Sequence, residues 1–158
     1  MIIIKRTTSD NIHFQELVKS LDQELRIRDG EEHSFYAQYN KTDHIKHVVV
    51  AYENEIPVGC GAIRAYDANT IEIKRMFVPL PHRRKGIAST LLIALENWCN
   101  ELNYKKCILE TGVNQPEAIA FYNRSRYHLI TNYGPYKNID NSVCFEKDLT
   151  LEGLSPRK

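Results

Sequence analysis

Residues 71–92, IEIKRMFVPLPHRRKGIASTLL, decide how this chain folds. The stretch opens as an alternating apolar strand and is stopped by Pro79 and Pro81. It then passes three consecutive cations and a glycine and continues as an amphipathic helix. Arg83, Arg84 and Lys85 stand at the positive end of the helix dipole, where each cation costs about 0.3–1 kcal/mol. An anion accounts for them. The unpaired N–H groups of a helix start hold anions, and Gly86, having no side chain, lets one approach closely.

Upstream, residues 47–52 and 57–66 read as two strands around the turn Glu53-Asn54-Glu55, and Asp67-Ala68-Asn69 leads into a third strand over 70–78. Short polar turns between three strands make an antiparallel meander. The helix that follows, from about Lys85 to Leu102, carries Ile87, Leu91, Leu95, Trp98 and Leu102 on one stripe, flanked by Ala94 and Cys99. Glu96, Asn97, Asn100 and Glu101 are expected to face away, and Asn103 offers a left-handed cap. Residues 105–110 return as a strand. Strand, crossover helix and strand form a right-handed unit with parallel strands, so the anion site falls at a strand's carboxyl end, where open α/β sheets bind ligands.

The flanks complete the sheet. Residues 2–6 read as a strand, and Ser9 or Asp10 offers an N-cap for a helix bearing Ile12, Leu17, Leu21 and Leu25, ending before Asp29-Gly30. Residues 31–42 have a weak pattern, and Phe35, Tyr36 and Tyr39 suit a substrate-covering flap as well as ordinary packing. Thr111-Gly112-Val113 breaks the later strand, and Asn114 or Gln115 starts a helix with Pro116 in its first turn. Residues 127–131 and 142–149 read as closing strands.

At 158 residues a single domain is expected over 1–150, with a frayed tail over 151–158. Its 21 basic and 20 acidic side chains nearly balance, which argues against bulk attraction to nucleic acid or to an anionic membrane. The first apolar run is too short for a signal-peptide core or a membrane span. Cys60, Cys99, Cys107 and Cys144 form no C-x-x-C pair, and three lie in apolar strand-like runs. Reduced, buried thiols in a cytoplasmic protein are expected. The scattered histidines form no metal-binding pattern, so no metal is expected, and the Walker glycine-lysine pattern is absent.

The run Arg83-Arg84-Lys85-Gly86-Ile87-Ala88 meets the signature R/Q-x-x-G-x-G/A at a strand-loop-helix junction. Together with EIKRMFV before it, LLIALENWCNEL, the ETG of Glu110–Gly112, and NQPEAIAFYNRSRY from Asn114, it resembles the GNAT superfamily of acyl-CoA-dependent N-acyltransferases. The resemblance implies an α/β architecture: a mixed, mostly antiparallel sheet of six to seven strands, helices on both faces, and a central parallel pair that splays to bind acyl-CoA. It implies acetyl-CoA as co-substrate. Arg83, Arg84, Lys85, Gly86, Ile87, Ala88 and Ser89 would hold the cofactor, the backbone amides from about Arg84 to Ser89 cradling its pyrophosphate. Met76, Phe77 and Val78 would pair with the pantetheine arm, and Asn114 would supply a side-chain contact.

The same resemblance assigns the chemistry. Glu72, eleven positions before Arg83, stands where family members with a glutamate base carry it. A cation beside it, such as Lys74, would instead make it a structural ion pair. Tyr122 stands where a family tyrosine protonates the departing thiolate, and Phe121 beside it reads as packing. Glu110 reads equally as a base, an ammonium ligand or a structural acceptor. Arg126 departs from the pattern, since glycine usually precedes the final aromatic. The implied activity is acetyl transfer to a primary amine of a small molecule or a protein, against the alternative of an acyl-CoA sensor without turnover. The acceptor pocket is expected from residues 25–39 and 133–136, and a homodimer fits the resemblance.

Overall fold

The computed structural model describes residues 1–29 and 44–150. In chain order it contains β1 (Ile2–Thr7), α1 (Ile12–Asp29), β2 (His47–Glu53), β3 (Ile56–Ala65), β4 (Thr70–Phe77), α2 (Ile87–Glu101), β5 (Lys106–Gly112), α3 (Pro116–Arg124), β6 (His128–Ile130) and β7 (Ser142–Asp148). Short 3-10 turns lie at Leu80–His82 and Gly134–Tyr136. One seven-stranded sheet results, in the order β1-β2-β3-β4-β5-β7-β6, and only the β4–β5 pair is parallel. The α/β class and the mixed sheet with helices on both faces are thus as expected. The weak segment at 31–42 and the expected tail lie outside the described residues.

Alternation along the strands divides the core into two layers. One face of the sheet carries Val49, Ile63, Ile71, Ile73, Leu109 and Phe145 against α2. The other carries Val48, Val50, Cys60, Ala62 and Phe77 against α1, whose Phe14, Leu17, Val18 and Leu21 recur at helical spacing. All four cysteines are free and buried, and burial pushes the Cys60 thiol up to about 12, which leaves it unreactive.

Three details differ from expectation. The N-cap of α1 is Asn11, whose Oδ1 accepts the Phe14 N–H at 3.0 Å, while Ser9 Oγ accepts the Ile45 N–H instead. The second helix starts at Ile87, because Gly86 lies in the left-handed region at φ 79° and cannot continue it backwards. Its buried stripe is also rotated. Leu92 and Cys99 are buried, Leu102 is outside the helix and exposed, and Glu96 points inward at 2% exposure. Burying Glu96 is possible because Lys147 of β7 lies 3.2 Å from both its oxygens and the Tyr127 hydroxyl donates to Oε2 at 2.8 Å. Asn103 does take the left-handed cap, at φ 68°.

The feature that shapes the site is a bulge in β4. Cys60 faces Phe77 and Ala62 faces Lys74, so Gly61 alone opposes both Arg75 and Met76. Arg75 adopts φ 57° there, a conformation normally left to glycine. Gly61 lies close under its neighbours: a Cβ would lie 2.7 Å from Met76 Sδ and 2.8 Å from Leu95 Cδ1, so both side chains would have to shift to admit one. β4 parts from its parallel partner just ahead of the bulge. Pairing with β5 stops at Glu72↔Ile108, whereas β5 stays paired with β7 as far as Gly112↔Ser142.

Candidate active site

Glu72 is the last residue of β4 paired with β5, so its side chain stands at the mouth of the fork between the two strands. The cleft that opens there is lined by Glu72, Lys74 and Met76 from β4, Glu110 from β5, Tyr122 from α3 and Tyr136 from the loop before β7. It continues along the outer part of β4, between Phe77, Val78, Arg83 and Ala88 on one side and Gln115, Phe121 and Tyr122 on the other. Tyr122 belongs to both stretches. The structure therefore brings Glu72 and Tyr122, separated by fifty positions in sequence, to one continuous groove that runs to the start of α2.

The loop at the groove's outer end is built as the sequence requires. Arg84 and Gly86 both take left-handed conformations, at φ 67° and 79°. The first ladder bond of α2 runs from the Thr90 N–H to the Gly86 carbonyl, so the N–H groups of Ile87, Ala88 and Ser89 precede the ladder and are available to an anion. A Cβ on Gly86 would meet nothing within 4 Å, so the approach to these amides is open. Arg84, Lys85 and Ser89 are exposed around them. Arg83 is used differently. Its Nε donates to the Val78 carbonyl at 2.7 Å and its Nη2 to Glu24 of α1 at 2.8 and 3.0 Å, so it fastens the loop to β4 and to α1.

Glu72 carries two partners. The Tyr133 hydroxyl donates to Oε2 at 2.5 Å, and the Lys74 ammonium lies 3.8 Å from Oε1. Glu72 thus has the ion pair that the structural reading named, with a hydroxyl donor in addition. Tyr133 packs edge-on against Tyr66 and Tyr136, and burial together with the Glu72 charge pushes its phenol well above the usual range. Burial alone pushes the Tyr122 phenol up, which keeps it protonated and able to donate. Burial pulls the Lys74 ammonium down, against the upward pull of Glu72. Glu110 accepts a hydrogen bond from Ser142 Oγ at 2.8 Å. Asn114 is exposed, and its neighbour Gln115 lines the groove.

Two contributions had no clear motif behind them. Tyr133 was visible only as part of an aromatic loop, because its bond to Glu72 spans 61 positions. The adjacent cations Lys74 and Arg75 interrupt the alternation of β4, and that was the available signal. Both are buried, and Arg75 is bound to Asp22 of α1 at 2.9 Å. Among the described residues no group of three or more His, Cys, Asp or Glu side chains is placed to hold a metal ion, and no helix is long and apolar enough to cross a membrane.

A sheet forked at one parallel pair, with a glycine-bearing anion loop at the end of the fork, defines an acyl-CoA N-acyltransferase class of fold. The chain belongs to the acetyltransferase (GNAT) family, which it matches over residues 14–126. An IAA acetyltransferase of Azospirillum brasilense is 34% identical over 102 residues, covering 64% of this chain and 67% of that protein. The crystal structure of a Klebsiella pneumoniae protein assigned to the acyl-CoA N-acyltransferases superposes with a TM-score of 0.78 at 26% identity, covering 94% of this chain and 98% of that one. A GNAT family acetyltransferase of Elizabethkingia anophelis with acetyl-CoA bound has a TM-score of 0.66 at 18% identity, with coverages of 94% and 98%, and so shares the fold.

Proposed function

We propose that the protein transfers an acetyl group from acetyl-CoA to a primary amine, of a small molecule or of a protein, by direct attack in a ternary complex. The observation that carries the reading is the groove itself, which joins open backbone amides at one end to Glu72 and Tyr122 at the other. Family membership supports it, as does acetyl-CoA in a structural relative with the same fold.

Each residue then has a task. The amides of Ile87, Ala88 and Ser89, with Gly86 giving access and Arg84 and Lys85 adding charge, receive the pyrophosphate. The unpaired β5-facing edge of β4 at Met76, Phe77 and Val78 receives the pantetheine arm as an added strand. Arg83 holds the loop in place, and Asn114 is offered to the cofactor from the start of α3. Glu72 takes a proton from the acceptor ammonium, whose pKa otherwise lies near 10.4. Tyr122 gives its proton to the departing thiolate.

The rival reading, an acyl-CoA sensor without turnover, draws on the fact that Glu72 is already engaged by Tyr133 and Lys74. Two measurements separate them. Acetyl-CoA at about a hundred times its dissociation constant stabilises by about 2.7 kcal/mol, a melting shift of roughly 5–10 °C for a domain of this size. Thiol release across an amine library reads turnover, and Tyr122→Phe is expected to keep the melting shift while turnover falls about a hundredfold. Absence of any shift at millimolar acetyl-CoA overturns both readings. A shift with no thiol release for any amine leaves the sensor.

A further inference from the structure

The cleft contains an amine of its own. Lys74 projects from β4 two residues after Glu72 and on the same face, just where the strand leaves β5. Its side chain is 6% exposed, it lines the same cavity as Tyr122, and its Nζ lies 3.8 Å from Glu72 Oε1. The charges facing it come from three strands: Glu72 and Arg75 on β4, Glu110 on β5 and Arg64 on β3. This side chain offers a primary amine, in the groove, beside a carboxylate.

We propose that Lys74 is a self-acetylation site, modified at Nζ when acetyl-CoA is bound and no external acceptor is present. The inference rests on the acetyl-CoA reading of the groove given above. Glu72 removes one proton from the Lys74 ammonium, and the neutral amine forms the C–N bond at the thioester carbonyl. The C–S bond breaks, and the sulfur leaves with its electron pair and takes the Tyr122 phenolic proton. The second nitrogen proton, lost as the amide forms, restores Tyr122. One acetyl-lysine, one CoA thiol and one proton result. Burial lowers the Lys74 pKa from its ordinary value, against the upward pull of Glu72 and Glu110, which eases removal of the proton. The product amide carries no charge, so Glu72 and Glu110 lose a counter-ion and the cleft turns more anionic.

Lys147, the other buried lysine among the described residues, is an internal control. It lies on the opposite face of the sheet, held by Glu96 and away from the groove. The full chain is incubated with acetyl-CoA and no amine, unfolded, and mapped by peptide mass spectrometry, with the acetyl-CoA melting shift measured in parallel. The expected result is one acetyl group on Lys74, none on Lys147, and a rate about a hundredfold slower in Tyr122→Phe. A melting shift with Lys74 unmodified overturns the proposal and leaves the cofactor reading standing. Equal rates in wild type and Tyr122→Phe overturn it as well, by showing spontaneous chemistry. No melting shift removes the cofactor reading and the proposal with it.

Discussion

Lys147→Met removes the ammonium from the most deeply buried ion pair described in the protein. Glu96 would keep only the Tyr127 hydroxyl, at 2.8 Å, in place of two further contacts at 3.2 Å from Lys147. A buried carboxylate stripped of its cation costs about 3–5 kcal/mol. At about 2–4 °C per kcal/mol for a domain of this size, the melting temperature falls by roughly 6–20 °C. The double variant Glu96→Leu, Lys147→Met replaces the pair by apolar side chains and is expected to recover most or all of the loss. Urea denaturation of wild type, both single variants and the double variant gives the coupling directly. A loss below about 1 kcal/mol in Lys147→Met, or a double variant no better than the singles, refutes the account.

The pH dependence follows from the same pair. Burial raises the Glu96 pKa above the ordinary 4.5, although Lys147 and Tyr127 pull it down. The folded protein therefore binds this proton more tightly than the unfolded chain. That contribution is fully present below 4.5 and is lost as pH rises through the folded value. Without Lys147 the rise is larger. The gap in stability between Lys147→Met and wild type should narrow as pH falls towards 4.5 and be widest near neutrality.

Two other substitutions test the backbone. Arg126 sits at φ 72° where the family pattern has glycine. Arg126→Gly relieves about 1–2 kcal/mol of left-handed strain at a chain-entropy cost of about 0.5–1 kcal/mol, for a net gain of about 0.5–1 kcal/mol by urea denaturation; a loss would show that the arginine's contacts outweigh its strain. Gly61→Ala forces a Cβ against Met76 Sδ at 2.7 Å and should cost about 1–3 kcal/mol. Because Met76 also lines the groove, acetyl-CoA affinity should fall with it in a titration, and unchanged values in both assays would mean that the bulge relaxes freely.

The meander of β2, β3 and β4 and the parallel crossover to β5 were legible because each rests on local signals, apolar runs, polar turns between them and prolines ahead of α2, whereas the place of β7 between β5 and β6 was not. The phase of α2 was not. Glu96 reads as a solvent residue by type, and its burial is made tolerable by partners far along the chain, Tyr127 and Lys147, 31 and 51 positions later. The loop cations were read as one anion site, yet Arg83 turns to Glu24 and Val78, because a half-buried guanidinium with carboxylate and carbonyl partners nearby satisfies its donors inside the protein. Tyr122 and Glu72 could be placed by motif position, whereas the Tyr133 bond to Glu72 depends on how the loop before β7 folds over the sheet.

The first helix grips the groove at two points. Asp22 holds Arg75 at the bulge and Glu24 holds Arg83 at the loop, so one turn of α1 fixes both the strand that bends and the loop that ends it. These two ion pairs act as a mechanical linkage between the cofactor-facing wall and the helix. On the function proposed above, a ligand that displaced α1 would pull on both ends of the groove together, and any coupling between cofactor and acceptor that ran through the helix would be reciprocal.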